Sequence, residues 1–266
     1  MTKSAFNWKL FSLLLAGAVL GLIAIVPYSL ALQGDAAVAA AAAQANMPLW
    51  LLITIQLATQ VITFGVATWV GLSFASSVGL GSPILQRMLA GERVWLELRK
   101  ILPISILLGV VLALLLIGLE VLVFQPALIA ELGENALAGA SAVKPAAWKG
   151  FLASFYGGIN EEILLRLCVM SFLAWLGRFV SRTADGKPTM AVLWIANILA
   201  AVLFGLGHLP ATAALVPLTP LVVARAIVLN GIIGIGFGYL YFKHGLESAM
   251  ISHFSADIVL HVLFAI

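Results

Sequence analysis

The sequence predicts an all-α fold: a polytopic bundle of about seven membrane-spanning helices forming one membrane domain. Three observations predict it. Of the 266 residues, 63% are hydrophobic and only 9% are charged, whereas soluble domains carry about 25% charged residues. Apolar runs of roughly the 20 residues that cross a bilayer alternate with short loops that collect the charges. Glycine and alanine recur along those runs, as expected where membrane helices pack closely. The same composition excludes other classes. The net charge of +3 reflects basic loops, so no nucleic-acid partner is expected. Cys168 is the single cysteine and cannot close an intrachain disulfide. No Cys/His spacing resembles a zinc finger, and no glycine-rich phosphate loop follows a strand.

The elements follow in order. Lys3 and Lys9 precede an apolar run from Leu10 to Leu32. Ser29-Leu30-Ala31 resembles a cleavage site, but the run exceeds the roughly 7–15 residues of a signal-peptide core, so it reads as the first span. Gln33 to Asn46 is an alanine-rich connection suited to a short helix lying on the membrane. The second span is expected from Pro48 to Val78. The loop from Gly79 to Lys100 is the most charged, with Arg87, Glu92, Arg93, Glu97, Arg99 and Lys100. The third span covers Ile101 to Phe124, and Ala127 to Lys144 is a polar connection. Residues 1–145 thus hold spans one to three, and residues 146–266 hold spans four to seven.

The fourth span runs from Ala146 to Trp175, and Arg178 to Lys187 is a basic loop with an Asp185-Gly186 turn. The fifth covers Met190 to His208. Ala211 to Pro220 is too short to span and can enter the bilayer only where protein or water covers its backbone. The sixth runs from Leu221 to Phe242, Lys243 to Glu247 is a tight turn, and the seventh covers Ser248 to Ile266. The basic residues gather before Leu10 and in the 79–100, 178–187 and 243–247 loops. The positive-inside rule makes that side cytoplasmic, with the N-terminus inside and the C-terminus outside.

The fourth span carries Asn160-Glu161-Glu162-Ile163-Leu164-Leu165-Arg166. An ionisable residue at membrane depth costs roughly 2.5–3.5 kcal/mol on insertion scales and marks a functional site by default. On an α-helix Glu162 and Arg166 share a face and can pair. Glu161 sits about 100° round the helix and points elsewhere. The expectation is a neutralised Glu162–Arg166 pair beside one carboxylate free to act. Phe204 to His208 ends the fifth span with an imidazole, and His253 and Asp257 share a face of the seventh, continuing with drift to His261. Glu120 and Arg225 can neutralise one another across helices, and Asn160, Asn197 and Asn230 read as structural. Glu161, His208, His253 and Asp257 can either hold a divalent metal such as zinc or activate water directly, with Glu161 as general base.

These residues resemble the motifs of the CPBP intramembrane proteases, the CAAX prenyl endopeptidase and bacteriocin-processing (ABI) family. Glu161-Glu162-Ile163-Leu164-Leu165-Arg166 is similar to its EExxxR motif, Phe204 to His208 to FxxxH, and His253 to Asp257 to the acidic form of HxxxN/D. The resemblance covers about Ala146 to His261. It implies an intramembrane endopeptidase acting on a membrane-anchored or lipidated protein or peptide within the lipid bilayer. The expected setting is the cell membrane of a bacterium or archaeon. It implies that Glu161 deprotonates the attacking water and His208 helps to orient it. His253 and Asp257 stand at the oxyanion or complete a metal site, with Glu162, Arg166 and Phe204 in support. Because an ionised Asp257 cannot donate to an oxyanion, the acidic third motif favours a metal-capable site. Two other classes compete: a non-catalytic membrane scaffold or bacteriocin-immunity protein, and a small transporter. The lack of an internal repeat lowers the transporter reading.

Overall fold

The structure, a computed structural model, describes residues 6–134 and 144–264. Lys3, residues 135–143 of the polar connection and the end of the seventh span at Ile266 lie outside the described residues. The described chain is helical with no β-strand among its elements, an all-α membrane bundle. Helix α1 (Trp8–Gln33) is followed by α2 (Asp35–Gln44), the short alanine-rich helix, and by α3 (Leu49–Val78). A short α4 (Pro83–Leu89) interrupts the charged loop, and α5 (Trp95–Leu119) starts inside it. The third span is longer than expected: α5 passes through a π-helical turn (Glu120–Phe124) into α6 (Gln125–Leu132). Pro126 does not end the run because it lies in the first turn of α6, where its missing N–H is tolerated.

The central segment begins as α7 (Ala147–Phe155), passes through two π-helical stretches (Tyr156–Glu161 and Ile163–Met170) and ends as α8 (Ser171–Gly177). Then come α9 (Met190–Gly207), the short α10 (Leu209–Ala213) and α11 (Pro220–His244). The chain closes with α12 (Leu246–Asp257), continued by a π-helical turn (Ile258–Leu263). Among the described residues, five helices are long and apolar enough to cross a membrane: Trp8–Gln33, Leu49–Val78, Trp95–Leu132, Met190–Ala213 and Pro220–His244. The expected fourth and seventh spans, which carry Glu161, Glu162 and Asp257, are not among these five.

Leu10, Leu14, Ala18 and Leu22 of α1 are buried in the core, and the Asn160 amide donates to the Ala18 carbonyl at 3.0 Å. The first helix is therefore an integral part of the bundle. Outward faces are apolar, as with Leu122 at 78% exposed, which in lipid carries no penalty. Small residues set the helix spacing: Gly71 of α3 packs so closely on Leu167 that a Cβ would stand 2.8 Å from its backbone.

The basic loops meet at one end of the bundle, as the charge pattern predicts. Arg178 donates to the Ser77 carbonyl at 3.1 Å, and Lys187 lies against Gly79. The Leu246 N–H donates to the Gly81 carbonyl at 2.9 Å. Glu247 accepts from Ser82 Oγ at 2.6 Å and from the Leu85 N–H at 2.7 Å, capping the N-terminus of α4 from across the fold. At the opposite end, Thr219 donates to Glu131 at 3.2 Å, and Tyr28 of α1 meets His261 at 3.3 Å.

Candidate active site

The site forms where the central segment, α9, α11 and α12 converge. Glu162 and Arg166 are buried and paired as expected, Nε to Oε2 at 3.4 Å. Arg166 Nη2 also donates to the Gly234 carbonyl at 2.8 Å, and its guanidinium lies over the rings of Phe204 and Phe237, 5.2 and 5.6 Å from their centroids. Arg is suited to this place because it stacks on aromatic faces and is less strongly hydrated than an ammonium.

The structure corrects one expectation: Glu161 does not point away from its neighbour's partners. Both acids bracket one imidazole. Glu162 Oε1 accepts from His253 Nδ1 at 2.8 Å, and Glu161 Oε2 stands 3.5 Å from His253 Nε2. The reason is local. Glu161 ends one π-helical stretch and Glu162 separates it from the next, so positions on an α-helical wheel do not carry across the segment, and the two acids meet different nitrogens of the ring. Glu162 thus has two partners, the Arg166 guanidinium and the His253 ring. The second was missed in the sequence, where His253 is placed only on one helix face with Asp257. Those two are 3.7 Å apart, Nε2 to Oδ1, too far for a direct hydrogen bond. Asp257 also stands 3.9 Å from His261 Nε2.

His253 is fixed on every side. Phe237 stacks on it at 4.5 Å, and Phe204 meets it edge-on at 5.8 Å. Phe204 also packs edge-on against His208 at 4.8 Å, which joins the second and third motifs. Along the helix axes His208 lies at the end of α9, and His253 about 10 Å from the start of α12 at 1.5 Å per residue. Helical side chains lean toward their own N-terminus, so Phe204 reaches back from the far end of α9 to the level of His253. His208 Nδ1 lies 2.9 Å from the Phe204 carbonyl. A carbonyl only accepts, so Nδ1 is the donor in this contact.

Gly157 allows this closeness. A Cβ there would collide with the Asp257 carboxylate and stand 3.0 Å from His253 Nε2. The Gly157-Gly158 pair just before Asn160-Glu161 is the sequence signal for this approach. Glu161, with its side chain 22% exposed, is the accessible acid, while Glu162 is fully enclosed. Glu120 and Arg225 pair at 2.7 Å away from the site, and Asn197 and Asn230 donate to backbone carbonyls, all structural as expected.

Among the described residues, no group of three or more His, Cys, Asp or Glu side chains is placed to hold a metal ion. As they stand, Glu161, His208, His253 and Asp257 do not form such a centre. What they form is a convergence of two carboxylates on one ring nitrogen: Glu161 and Asp257 stand 3.5 and 3.7 Å from His253 Nε2.

Residues 143–259 match the family model described as type II CAAX prenyl endopeptidase Rce1-like. No curated protein and no solved structure matches the chain. The matched region contains all three motifs, with Glu161, Glu162, Arg166, Phe204, His208, His253 and Asp257. Residues 143–259 are therefore a domain of the CPBP/CAAX protease family, in a chain that is an integral membrane protein.

Proposed function

We propose that the protein is an intramembrane endopeptidase that hydrolyses a peptide bond of a membrane-anchored or lipidated protein, with water activated by Glu161. The observation that carries this reading is the convergence of the Glu161 and Asp257 carboxylates on His253 Nε2, at 3.5 and 3.7 Å. A water held there has Glu161 as proton acceptor and is oriented by His253. Attack of the water oxygen on the scissile carbonyl carbon sends its proton to Glu161. Breakage of the C–N bond returns that proton to the leaving amine. The ring of His253 cannot rotate, because Glu162 holds Nδ1 and two aromatic rings clamp its faces and edge. To His208, which packs on the Phe204 ring that also meets His253, we assign orientation of the water or the developing oxyanion. Asp257, among imidazoles, acts on their orientation, since as a carboxylate it accepts only.

A lipidated substrate is supported by an apolar cavity of about 550 Å³ between α5, the central segment and α12. Ile106, Val110, Phe155, Met250 and Phe254 line it, and Gly158 forms its wall one residue from Gly157. The test is turnover by purified protein in proteoliposomes, with Glu161→Gln as comparison. Removing the general base should cut turnover by at least about 10²-fold. Equal rates for the two proteins would remove Glu161 from the mechanism. Comparative membrane proteomics of wild type and Glu161→Ala should then show the natural substrate accumulating uncut.

A further inference from the structure

A second cavity, about 220 Å³, lies on the other side of the central segment, between α1 and α3. Its lining is unusual for lipid depth: Gln33, Gln56 and Gln60 bring three side-chain amides, with Ser29 beside them and Tyr156 at the inner end. Gln56 and Gln60 lie about 10 and 16 Å along α3 from its start, at 1.5 Å per residue. Side-chain amides at that depth cost free energy unless something pairs with them. Gln33 donates to the Ser29 carbonyl at 3.3 Å. Among the described residues, Gln56 and Gln60 have no such partner.

The inner end leads to the chemistry. Tyr156 and Glu161 are the first and last residues of one π-helical stretch, and five residues apart is the stacking interval of that helix. The outer end is lined by Gln33, the last residue of α1, away from the basic loops. The spacing of the amides is informative. Residues four apart on an α-helix rise about 6 Å. Alternate residues of an extended chain, which turn their N–H and C=O groups to the same side, repeat every 6.4–6.8 Å or so. One glutamine amide carries both a donor and an acceptor, which is what one peptide unit needs.

We propose that this cavity is a subsite for an extended polypeptide segment of the substrate, with Gln56 and Gln60 pairing with alternate peptide units and Tyr156 marking the end next to Glu161. The proposal rests on the endopeptidase reading. It makes the central segment a divider: the apolar cavity on one side for a lipid anchor, the amide-lined cavity on the other for unpaired backbone. It also places entry of the peptide at the end of the bundle opposite the basic loops.

The experiment uses full-length protein in proteoliposomes and an internally quenched peptide ending in a farnesylated cysteine and three further residues. Gln56→Leu with Gln60→Leu should raise KM about tenfold, the loss of two hydrogen bonds, with kcat within about twofold. N-methylation of the backbone amides of the probe, one at a time, should find a position whose penalty disappears in the double variant. A structural role for the glutamines predicts additive penalties at every position, which overturns the proposal. A binding arm is independent of cleavage. In Glu161→Gln protein with benzoylphenylalanine in place of Leu57, illumination should cross-link a biotinylated form of the probe, and Gln56→Leu with Gln60→Leu should weaken the cross-link. Absence of that cross-link overturns the subsite whatever the cleavage result. A cross-link without turnover by the wild-type protein keeps the subsite and sinks the endopeptidase reading instead.

Discussion

Glu162 accepts a hydrogen bond from His253 Nδ1 at 2.8 Å, joining the first and third motifs through the interior of the bundle. The same carboxylate faces the buried Arg166 at 3.4 Å. One enclosed acid therefore neutralises a guanidinium and aims an imidazole. Its neighbour Glu161 remains accessible to reactants. The division of labour between two adjacent carboxylates comes from environment, since the residue type is the same.

Glu162→Gln should therefore act on two properties. It leaves Arg166 without its counter-charge, and breaking a buried pair costs roughly 3–5 kcal/mol. It also replaces a charged acceptor for His253 Nδ1 with an amide. Thermal unfolding in detergent should show a clear drop in midpoint, and the folded fraction should have reduced kcat. A variant as stable and as active as wild type would mean that Glu162 has neither task.

Gly157→Ala adds a methyl group where the Asp257 carboxylate and His253 Nε2 already stand. Two helices must separate or the site must open, at a cost of about 1–3 kcal/mol for overpacking. Activity should fall further than stability, because a shift of about 1 Å in catalytic groups costs on the order of 10²-fold. Gly65→Ala is the control: nothing stands within 4 Å of a Cβ there, and both properties should be unchanged. Full turnover in Gly157→Ala would show that the close approach has no bearing on catalysis.

The loops that meet at one end of the bundle carry most of the basic residues, so the positive-inside rule assigns them to the cytoplasm. Cysteines introduced at Gly91 or Gly186 should resist a membrane-impermeant maleimide added to intact cells. Cysteines at Gln33 or Gly133 should react. Cys168 is replaced first to give a clean background. Labelling at Gly186 from outside would invert the topology, and with it the face from which a peptide enters.

Metal dependence separates two chemistries for the same four side chains. With Glu161-activated water, purified protein should contain far less than one equivalent of zinc, and chelators should leave turnover unchanged. Asp257→Asn should then retain activity, because the amide donates where the carboxylate cannot. With a metal centre, metal content near one equivalent is expected, and His208→Ala and His253→Ala should lose metal and turnover together. Elemental analysis alongside kinetics distinguishes the two.

The sequence by itself determined the class of the protein and the identity of its polar residues. Hydropathy places the helices, because a bilayer admits only long apolar segments whose backbone is internally bonded. The clustering of arginine and lysine groups the loops by side, as the contacts of Arg178 with Ser77 and Leu246 with Gly81 bear out. Glu161, Glu162, Arg166, His208, His253 and Asp257 stand out because charge at membrane depth needs a reason. Which of these groups touch was decided by tertiary structure. Periodicity on an α-helical wheel sends Glu161 and Glu162 to different faces, yet both meet the His253 ring, Glu162 at Nδ1 and Glu161 near Nε2. Rise along the axis sets His208 and His253 at different depths, yet Phe204 leans back and packs against both. Helix pitch and side-chain lean depend on what each helix packs against, such as the Asp257 carboxylate lying over Gly157, and that information is spread over segments about 100 residues apart in the chain.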